Sequence, residues 1–228
     1  MLVQLLTYTS DAEQTVAAAA RLCYSPSSIT DVMDKSAGER VGLLKKILSL
    51  GHFSVLEHAS FSFGIEGISR TCSHQLVRHR IASYSQQSQR YVSHREQFSA
   101  VTPQTIASRP DLQKRYQEAM KQAHAVYRDL VDAGIPAEDA RFVLPNAAET
   151  KIVVTMNARE LWHFFSLRCC RRAQWEIRET AKRMLGEVRH KAPTLFAEAG
   201  PACLRGSCPE GSMTCGEAAS VREEFQGI

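Results

Sequence analysis

The spacing of apolar positions along the chain predicts a few short strands separated by long helices. Residues 2–9 form a short apolar run that is typical of a strand. Over residues 59–66, apolar side chains alternate with small or polar ones, which predicts a strand with one buried face. The β-branched run at residues 150–156 predicts a third strand.

Several other segments show helical spacing of apolar residues, with glycine or proline near their ends. The predicted helices are residues 11–23, 39–50, 68–79, 111–133, 137–143, 158–169 and 173–191. Residues 81–96 are rich in Ser and Gln without a clear period, which predicts an ordered loop, and residues 103–110 predict turns. The sequence therefore predicts the α+β class. No G-x-G-x-x-G follows a predicted strand, so a Rossmann fold is not expected.

We expect a single domain over residues 1–200, followed by a Cys- and Gly-rich tail at residues 201–228. The tail holds Cys203, Cys208 and Cys215, three of the seven cysteines in the chain. Two interpretations stay open. The tail binds zinc with a fourth ligand from elsewhere, or it is mobile with free thiols. We assign no metal from the sequence.

The overall composition is that of a soluble globular protein, with 44% hydrophobic and 23% charged residues. No run of about 18 apolar residues predicts a membrane span, and the N-terminus lacks the basic region of a signal peptide. We therefore expect a cytoplasmic protein. The net charge is only +4, yet 20 of the 28 basic residues are Arg. Because guanidinium groups grip phosphate with two hydrogen bonds, this excess favours phosphate-bearing ligands, although an Arg-biased genome would also produce it.

The densest group of polar residues lies at positions 75–91. Arg78, His79 and Arg80 end a predicted helix, and a segment rich in hydroxyl and amide groups follows. Guanidinium groups and Ser hydroxyls suit a phosphate, and Gln side chains suit the edge of a heterocycle. The alternative is a solvated basic helix end beside a polar surface loop.

Arg78, His79 and Arg80, followed after seven residues by Ser88, resemble the signature of the flavin-dependent thymidylate synthases, and Arg90 extends the match. The pattern is modest by itself. Its specificity comes from segments that lie on either side of it.

Three flanking segments strengthen the resemblance. Residues 51–58, Gly-His-Phe-Ser-Val-Leu-Glu-His, are similar to the His-x-Ser/Thr-x-x-Glu-His element of that family. Residues 157–178 resemble its Asn-x-Arg helix start, its Leu-Arg pair and its Ala-Gln-Trp-Glu-Ile run. Arg141 lies before a Val-Leu-Pro stretch, as in the family. Together these matches cover the majority of the chain.

The resemblance implies an enzyme of dTMP biosynthesis that methylates dUMP at C5. In the family, reduced FAD supplies a hydride and is recharged by NADPH, while methylenetetrahydrofolate supplies the one-carbon unit. No protein nucleophile is implied for attack on the uracil ring, and residues 78–90 contain no Cys. Activation must then come from polarising the ring, and a fixed guanidinium beside its N3–O4 edge would stabilise the developing negative charge. We expect Arg168 to be this catalytic residue.

The resemblance also implies which residues bind each ligand. The residues expected to bind dUMP are Gln75, Arg78, Gln86, Gln87, Ser88, Gln89, Arg90, Arg141 and Arg168. The residues expected to bind the flavin or folate are His52, Ser54, Glu57, Arg78, His79, Arg80, Gln86, Asn157, Arg159 and His163. Some family members carry Glu at the position of Gln86. A neutral amide is not a base, so Gln86 is assigned binding alone. The role of Arg172 stays open.

By the same resemblance we expect a small, mostly antiparallel sheet with long helices, and a homotetramer whose active sites are shared between subunits. Two other classes of protein stay open. One is a nucleic-acid-binding protein, against which the modest net charge argues. The other is a structural metal protein using His52, Glu57 and His58, or these histidines with the tail cysteines. Against it, the next candidate ligands, Cys72 and His74, lie beyond a predicted strand and form no familiar metal spacing.

Overall fold

The computed structural model describes residues 1–96 and 98–227. It confirms the predicted α+β class: four strands form one antiparallel sheet in the order β1-β2-β4-β3. The strands are β1 (Leu2–Tyr8), β2 (Ser60–Ser69), β3 (Ala82–Gln86) and β4 (Glu149–Asn157). No helix among the described residues is long and apolar enough to cross a membrane.

Helices of very different lengths connect and follow the strands. The α-helices are α1 (Ala12–Leu22), α2 (Ile29–Ser49), α3 (Arg70–Leu76), α4 (Gln104–Ala107), α5 (Pro110–Asp132), α6 (Ala137–Ala140), α7 (Ala158–Arg168), α8 (Trp175–Lys191), α9 (Pro193–Phe196) and α10 (Ala218–Gln226). Short 3-10 helices cover Phe53–His58, Arg141–Val143, Ala202–Leu204 and Gly211–Met213.

The prediction of a loop over residues 81–96 was wrong at its start, because Ala82–Gln86 forms β3. Polar side chains gave no apolar alternation there. The segment is extended because it pairs with β4, and the backbone N–H of Gln87 still donates to the carbonyl of Lys151 at 2.9 Å. A non-local partner therefore determines the conformation of this segment.

Two predicted helix starts also moved, because capping side chains decide where a helix begins. Helix α2 begins ten residues before the predicted position 39, since Ser28 accepts a hydrogen bond from the backbone N–H of Asp31. Helix α3 begins at Arg70 and not at residue 68. There β2 continues to Ser69, whose side chain accepts from the backbone N–H of Cys72.

The chain divides into two compact units, of which the first contains Met1–Leu2, Ile65–Arg78 and Ser85–Val153. Its longest helix is α5, which buries Tyr127 completely. The hydroxyl of Tyr127 accepts from the backbone N–H of His94 at 3.2 Å. This bond ties the segment that follows β3 to α5.

The second unit contains Val3–Gly64, His79–Tyr84 and Val154–Ile228. Its core is aromatic: the rings of Phe61 and Phe196 meet edge to face with centroids 5.3 Å apart. The indole N–H of Trp162, in α7, donates to the carbonyl of Leu195 at 3.0 Å. Helix α7 is thereby fixed against the segment that follows α8.

The described part of the predicted tail is folded into the second unit. Helix α10 buries Val221 and Phe225. Its Glu224 forms ion pairs with Arg171 and Lys182, and the guanidinium of Arg189 donates to the carbonyl of Phe225 at 3.0 Å. The sequence left open whether the tail is ordered, and these contacts explain its order. Ile228 lies outside the described residues.

Candidate functional site

His79 lies at the centre of a buried polar chain in the second unit. Its Nδ1 is 3.2 Å from the Oε1 of Glu160, and its Nε2 accepts a hydrogen bond from the Nε of Arg168 at 3.0 Å. His79 is only 5% exposed and Glu160 only 6%. The sequence suggested a basic cluster presented to solvent. Instead, the flanking Arg78 and Arg80 are exposed while the histidine points inward.

The partners of His79 determine its tautomer. An arginine has no acceptor, so the Nε2 of His79 must carry the lone pair and the ring proton must sit on Nδ1, where it can be donated to Glu160. Burial, followed by the charges of Arg168 and His163, lowers the pKa of His79 to about 4. The ring is therefore neutral near pH 7.

Helix α7 positions two members of this polar chain, Glu160 and Arg168. Asn157 caps the helix by accepting from the backbone N–H of Glu160 at 2.9 Å, which places Glu160 in the first turn. Two turns later, Arg168 ends the same helix. Burial raises the pKa of Glu160, and the charge of nearby His163 opposes this rise.

Aromatic and hydroxyl groups pack around His79. Its ring meets the ring of Phe164 edge to face at 4.9 Å and the ring of His163 at 5.8 Å. The hydroxyl of Tyr84 donates to the carbonyl of His79 at 2.7 Å. Burial raises the pKa of Tyr84, and the charge of Glu160 adds to the effect. This packing restricts the orientation of the imidazole.

Only the Nε edge of the Arg168 guanidinium is hydrogen-bonded to a described part of the protein. Its Nε donates to His79, and within residues 1–96 and 98–227 no other hydrogen bond or ion pair engages its guanidinium. Both terminal amino groups thus retain their N–H donors for a ligand. Since the side chain is only partly buried, a ligand can reach it.

Five further residues predicted to bind the cofactor lie at the surface of the second unit. Arg159, in the first turn of α7, forms an ion pair with Glu57. His52 and Ser54 are exposed at the start of the 3-10 helix Phe53–His58, and His163 is exposed on α7. Two predicted pairs of site residues are therefore in contact: Arg159 pairs with Glu57, and the ring of His163 lies against the ring of His79.

In the first unit, Gln86 is held by two hydroxyl groups. Its Nε2 donates to the Oγ of Ser73 at 2.9 Å and to the Oγ1 of Thr150 at 3.1 Å. The amide nitrogen is thereby engaged within the protein. The oxygen of the Gln86 amide is the atom that stays suited to a ligand.

The residues that follow β3 form a compact turn in the first unit. The Oγ of Ser88 accepts from the backbone N–H of Arg90 at 3.1 Å. Arg90 forms an ion pair with Glu138, and the carbonyl of Glu138 accepts from the Nε of Arg141 at 3.0 Å. Glu138 therefore links two arginines that the sequence predicted to bind dUMP.

Arg70 is a residue that the sequence did not single out. Burial, followed by the charge of Arg141, lowers the pKa of Arg70. Two guanidinium groups of the same unit that repel one another make a favourable place for an anion. Its place in the sequence, directly after a strand and shortly before the polar residues 75–80, is the signal that could have marked Arg70 as a site residue.

Three predicted dUMP-binding residues have less defined surroundings. Gln75 is half-buried on α3, and its Nε2 donates to the carbonyl of Thr71 at 3.3 Å. Arg78, just after α3, is exposed, and Gln89 is half-buried in the turn after β3.

Glu160 and Tyr84 were also missed as site residues. Glu160 follows Arg159 inside a matched motif. A Glu in the first turn of a capped helix is common, because an exposed carboxylate there interacts favourably with the helix dipole. Its burial depends on His79, which is 81 positions earlier in the chain. No local pattern reveals that contact.

Four cysteines line one small cavity in the second unit, which also touches Arg171, Arg172 and α10. They are Cys170, Cys203, Cys208 and Cys215, all with free thiols. Within the described ranges, no three His, Cys, Asp or Glu side chains converge in a way that could hold a metal ion. The structure therefore gives no support to the zinc alternatives for the tail or for His52, Glu57 and His58.

Arg172 binds the tail directly. Its Nη1 donates to the carbonyl of Met213, in the 3-10 helix Gly211–Met213. The side chain whose role the sequence left open thus anchors a segment that lines the cysteine cavity.

Comparison with known proteins gives one consistent result. The family model described as "Thymidylate synthase complementing protein" (Thy1) matches residues 4–194. A protein of Geobacter sulfurreducens named flavin-dependent thymidylate synthase is 60% identical over 99% of this chain and 98% of its own length. A Clostridium tetani protein of the same name is 47% identical over 98% of this chain and 96% of its own.

A solved structure is also similar. It is a UMP/dUMP methylase from Streptomyces cacaoi bound with 5-Br dUMP, with a TM-score of 0.77 and 25% identity. The match covers 86% of this chain and 93% of that one.

Proposed function

Because the chain belongs to the flavin-dependent thymidylate synthase family, we propose that it converts dUMP to dTMP by reductive methylation. FAD recharged by NADPH supplies the hydride, and methylenetetrahydrofolate supplies the one-carbon unit. The proposal extends the family assignment to a specific cofactor, a specific reductant and a specific carbon donor.

The observation that carries this function is the state of Arg168. Its Nε is bound to a neutral histidine, and its terminal amino groups are free to bind a ligand. A guanidinium fixed by one edge stabilises negative charge on the N3–O4 edge of uracil without having to reorient. Arg168 thereby favours addition of the one-carbon unit at C5.

The remaining residues hold dUMP. Arg90 and Arg141, linked by Glu138, and the nearby Arg70 provide positive charge for the phosphate. The side-chain oxygen of Gln86 accepts from a ligand N–H, while its nitrogen stays on Ser73 and Thr150. The other proposed dUMP-binding residues are Gln75, Arg78, Gln87, Ser88 and Gln89.

The proposed flavin site fits the chemistry of FAD. Exposed guanidinium groups at Arg78, Arg80 and Arg159 suit a diphosphate. Asn157 and His163 add hydrogen-bonding groups, and His52, Ser54 and Glu57 are retained as proposed contacts of the flavin or folate. His79, which is also proposed to lie along the flavin, is only 5% exposed and acts through Arg168, whose guanidinium it orients.

We further propose a cytoplasmic homotetramer with shared active sites. Strand β1 is at one edge of the sheet and leaves Leu2, Leu6 and Tyr8 exposed. Exposed apolar side chains on an edge strand are costly in an isolated chain, and a second copy would cover them. A monomer in sedimentation velocity at micromolar concentration would contradict this part.

One set of assays tests the function. We expect the purified protein to be yellow, to lose its flavin absorbance on anaerobic addition of NADPH, and to form dTMP only with dUMP and methylenetetrahydrofolate. Arg168→Ala should keep its FAD and lose dTMP formation by about 100-fold or more, as does loss of one donor to a developing anion.

Arg183→Ala is the matched control, because Arg183 also lies on a helix and pairs with Glu179 on the same exposed face. It should retain wild-type turnover. A colourless protein that cannot be reconstituted with FAD would overturn the function. An Arg168→Ala variant as active as Arg183→Ala would overturn only the role of Arg168.

A further inference from the structure

We propose that Glu160 is a positioning residue that sets the orientation of Arg168 through His79. The proposal rests on the proposed function, since it concerns how that reaction's guanidinium is held. It adds to the site a residue that never touches substrate or flavin. The three side chains form one chain of hydrogen bonds within the second unit.

The first link is the placement of Glu160. The Asn157 cap fixes the backbone of the first turn of α7, and the carboxyl group is buried with the Nδ1 of His79 at 3.2 Å. A buried carboxyl group needs a donor, and the imidazole N–H supplies it. Removing this acceptor would leave the N–H of His79 without a buried partner.

The second link is the tautomer of His79. A carboxylate is an acceptor only, so it stabilises the form with the proton on Nδ1 and the lone pair on Nε2. In the opposite tautomer, an N–H on Nε2 would face the N–H of Arg168, and both hydrogen bonds of the ring would be lost. Glu160 therefore selects the one state of His79 that can bind Arg168.

The third link is the orientation of the guanidinium. Arg168 is a long, flexible side chain at the last position of α7, and its bond to His79 is its one hydrogen bond among the residues that the structure describes. Because the guanidinium is planar, fixing Nε fixes the direction of the two terminal amino groups as well. Loss of the correct tautomer would leave the positive charge of Arg168 in the site, but the orientation of its guanidinium would no longer be fixed.

Glu160→Gln separates these effects, because an amide has nearly the same shape but offers both a donor and an acceptor. It can turn its NH₂ toward Nδ1 and so stabilise the wrong tautomer. We expect kcat for dTMP formation to fall by about 10- to 100-fold, which is usual for a residue that orients a catalytic group. The FAD content and the KM for dUMP should change little.

Glu13→Gln is the matched control. Glu13 is a buried carboxylate of the same unit, 8% exposed, and its Oε1 accepts from the backbone N–H groups of Thr194 and Leu195. A structural effect of replacing a buried carboxylate should appear in both variants. If Glu160→Gln keeps wild-type kcat, or if both variants lose kcat equally, Glu160 has no positioning role.

A double variant tests whether Glu160 acts through the ring. His79→Leu removes both ring nitrogens, so Glu160→Gln should lower kcat by less than about twofold in that background. An undiminished effect of Glu160→Gln there would overturn the proposed route.

The tautomer can be measured without any turnover. In protein with ¹⁵N-labelled histidine, the His79 signal should show a protonated Nδ1 in the wild type and a mixture in Glu160→Gln. A wild-type Nε2–H form would overturn the proposal even in an active enzyme. If the wild type makes no dTMP, the proposed function fails. The spectrum would still decide whether Glu160 determines the tautomer of His79.

Discussion

At the scale of single residues, the site depends on a histidine that is kept neutral. His79 is enclosed by α7, with Arg168 on Nε2 and Glu160 on Nδ1. A second proton would have to sit on Nε2, directly opposite the guanidinium. Burial is the largest cause of the low pKa of His79, and the charges of Arg168 and His163 lower it further. This low pKa makes the fold sensitive to acid.

This sensitivity has a defined sign. The pKa of His79 is lowered from 6.5 to about 4 in the folded protein. Between these values the unfolded chain binds a proton that the folded chain does not, so stability falls as the pH drops from about 6.5 toward 4. We expect the wild type to lose roughly 1–2 kcal/mol more than His79→Gln between pH 7 and pH 5 in urea unfolding.

His79→Gln is the appropriate reference, because its amide can accept from Arg168 and donate to Glu160 without titrating. Equal losses of stability in the two proteins would show that His79 is protonated in the folded state at pH 5. In that case its ring could not hold Arg168 under mildly acidic conditions.

The sequence predicted most residues of the site but not their arrangement. Arg78, His79 and Arg80 read as one exposed basic cluster, yet the middle residue is buried. Arg78 lies in the turn that ends α3, and His79 and Arg80 lie between that turn and β3, so no regular helical or strand period applies to these three side chains. A three-residue motif contains no information about which side faces the core, since that depends on Glu160 and Phe164 far along the chain.

At the scale of elements, helix α7 contributes site residues at both of its ends. Its cap residue Asn157 holds the turn that contains Glu160, and its last residue is Arg168. The helix is rigid because Leu161, Trp162 and Phe165 are buried. A change at the start of this helix should therefore affect chemistry at its end.

Asn157→Ala tests this connection. Loss of a capping side chain lowers the free energy of unfolding by about 1 kcal/mol. Because the cap also holds Glu160, we expect kcat to fall as well. Ser28→Ala removes the equivalent cap of α2, where the Oγ accepts from the N–H of Asp31 at 3.2 Å. It should lower stability to a similar extent and leave kcat unchanged, and equal kcat in the two variants would contradict the role of α7.

The elements that were predicted well carry their signal locally. The long helix α5 and the strands β1, β2 and β4 have a clear apolar period within their own residues. Strand β3 does not, because Ser and Gln fill it and only pairing with β4 makes it a strand. The start of α2 was missed because its cap residue Ser28 is one of several nearby serines, so the sequence does not single out the residue at which the helix begins.

At the scale of the whole molecule, the last 30 residues are less separate than their composition suggested. Gly, Pro and Cys predicted a distinct tail, because the nine residues of α10 are too few to show a clear helical period. Arg171, in the segment between α7 and α8, pairs with Glu217 and Glu224. The tail therefore packs against the segment that joins α7 to α8, and its loss should destabilise the second unit.

Phe225→Ala measures how much this packing contributes. Phe225 is 4% exposed, its ring lies under the ammonium group of Lys182, and a Cβ added at Gly200 would lie only 3.2 Å from the ring. Removing a buried Phe side chain costs about 3–5 kcal/mol, through lost transfer free energy and the cavity left behind. Tyr24→Ala is the control in the same unit, because Tyr24 is 80% exposed and its removal should change stability by less than about 0.5 kcal/mol. If both variants unfold at the wild-type denaturant concentration, α10 is not part of the cooperative fold, and the tail is as independent as the sequence alone implied.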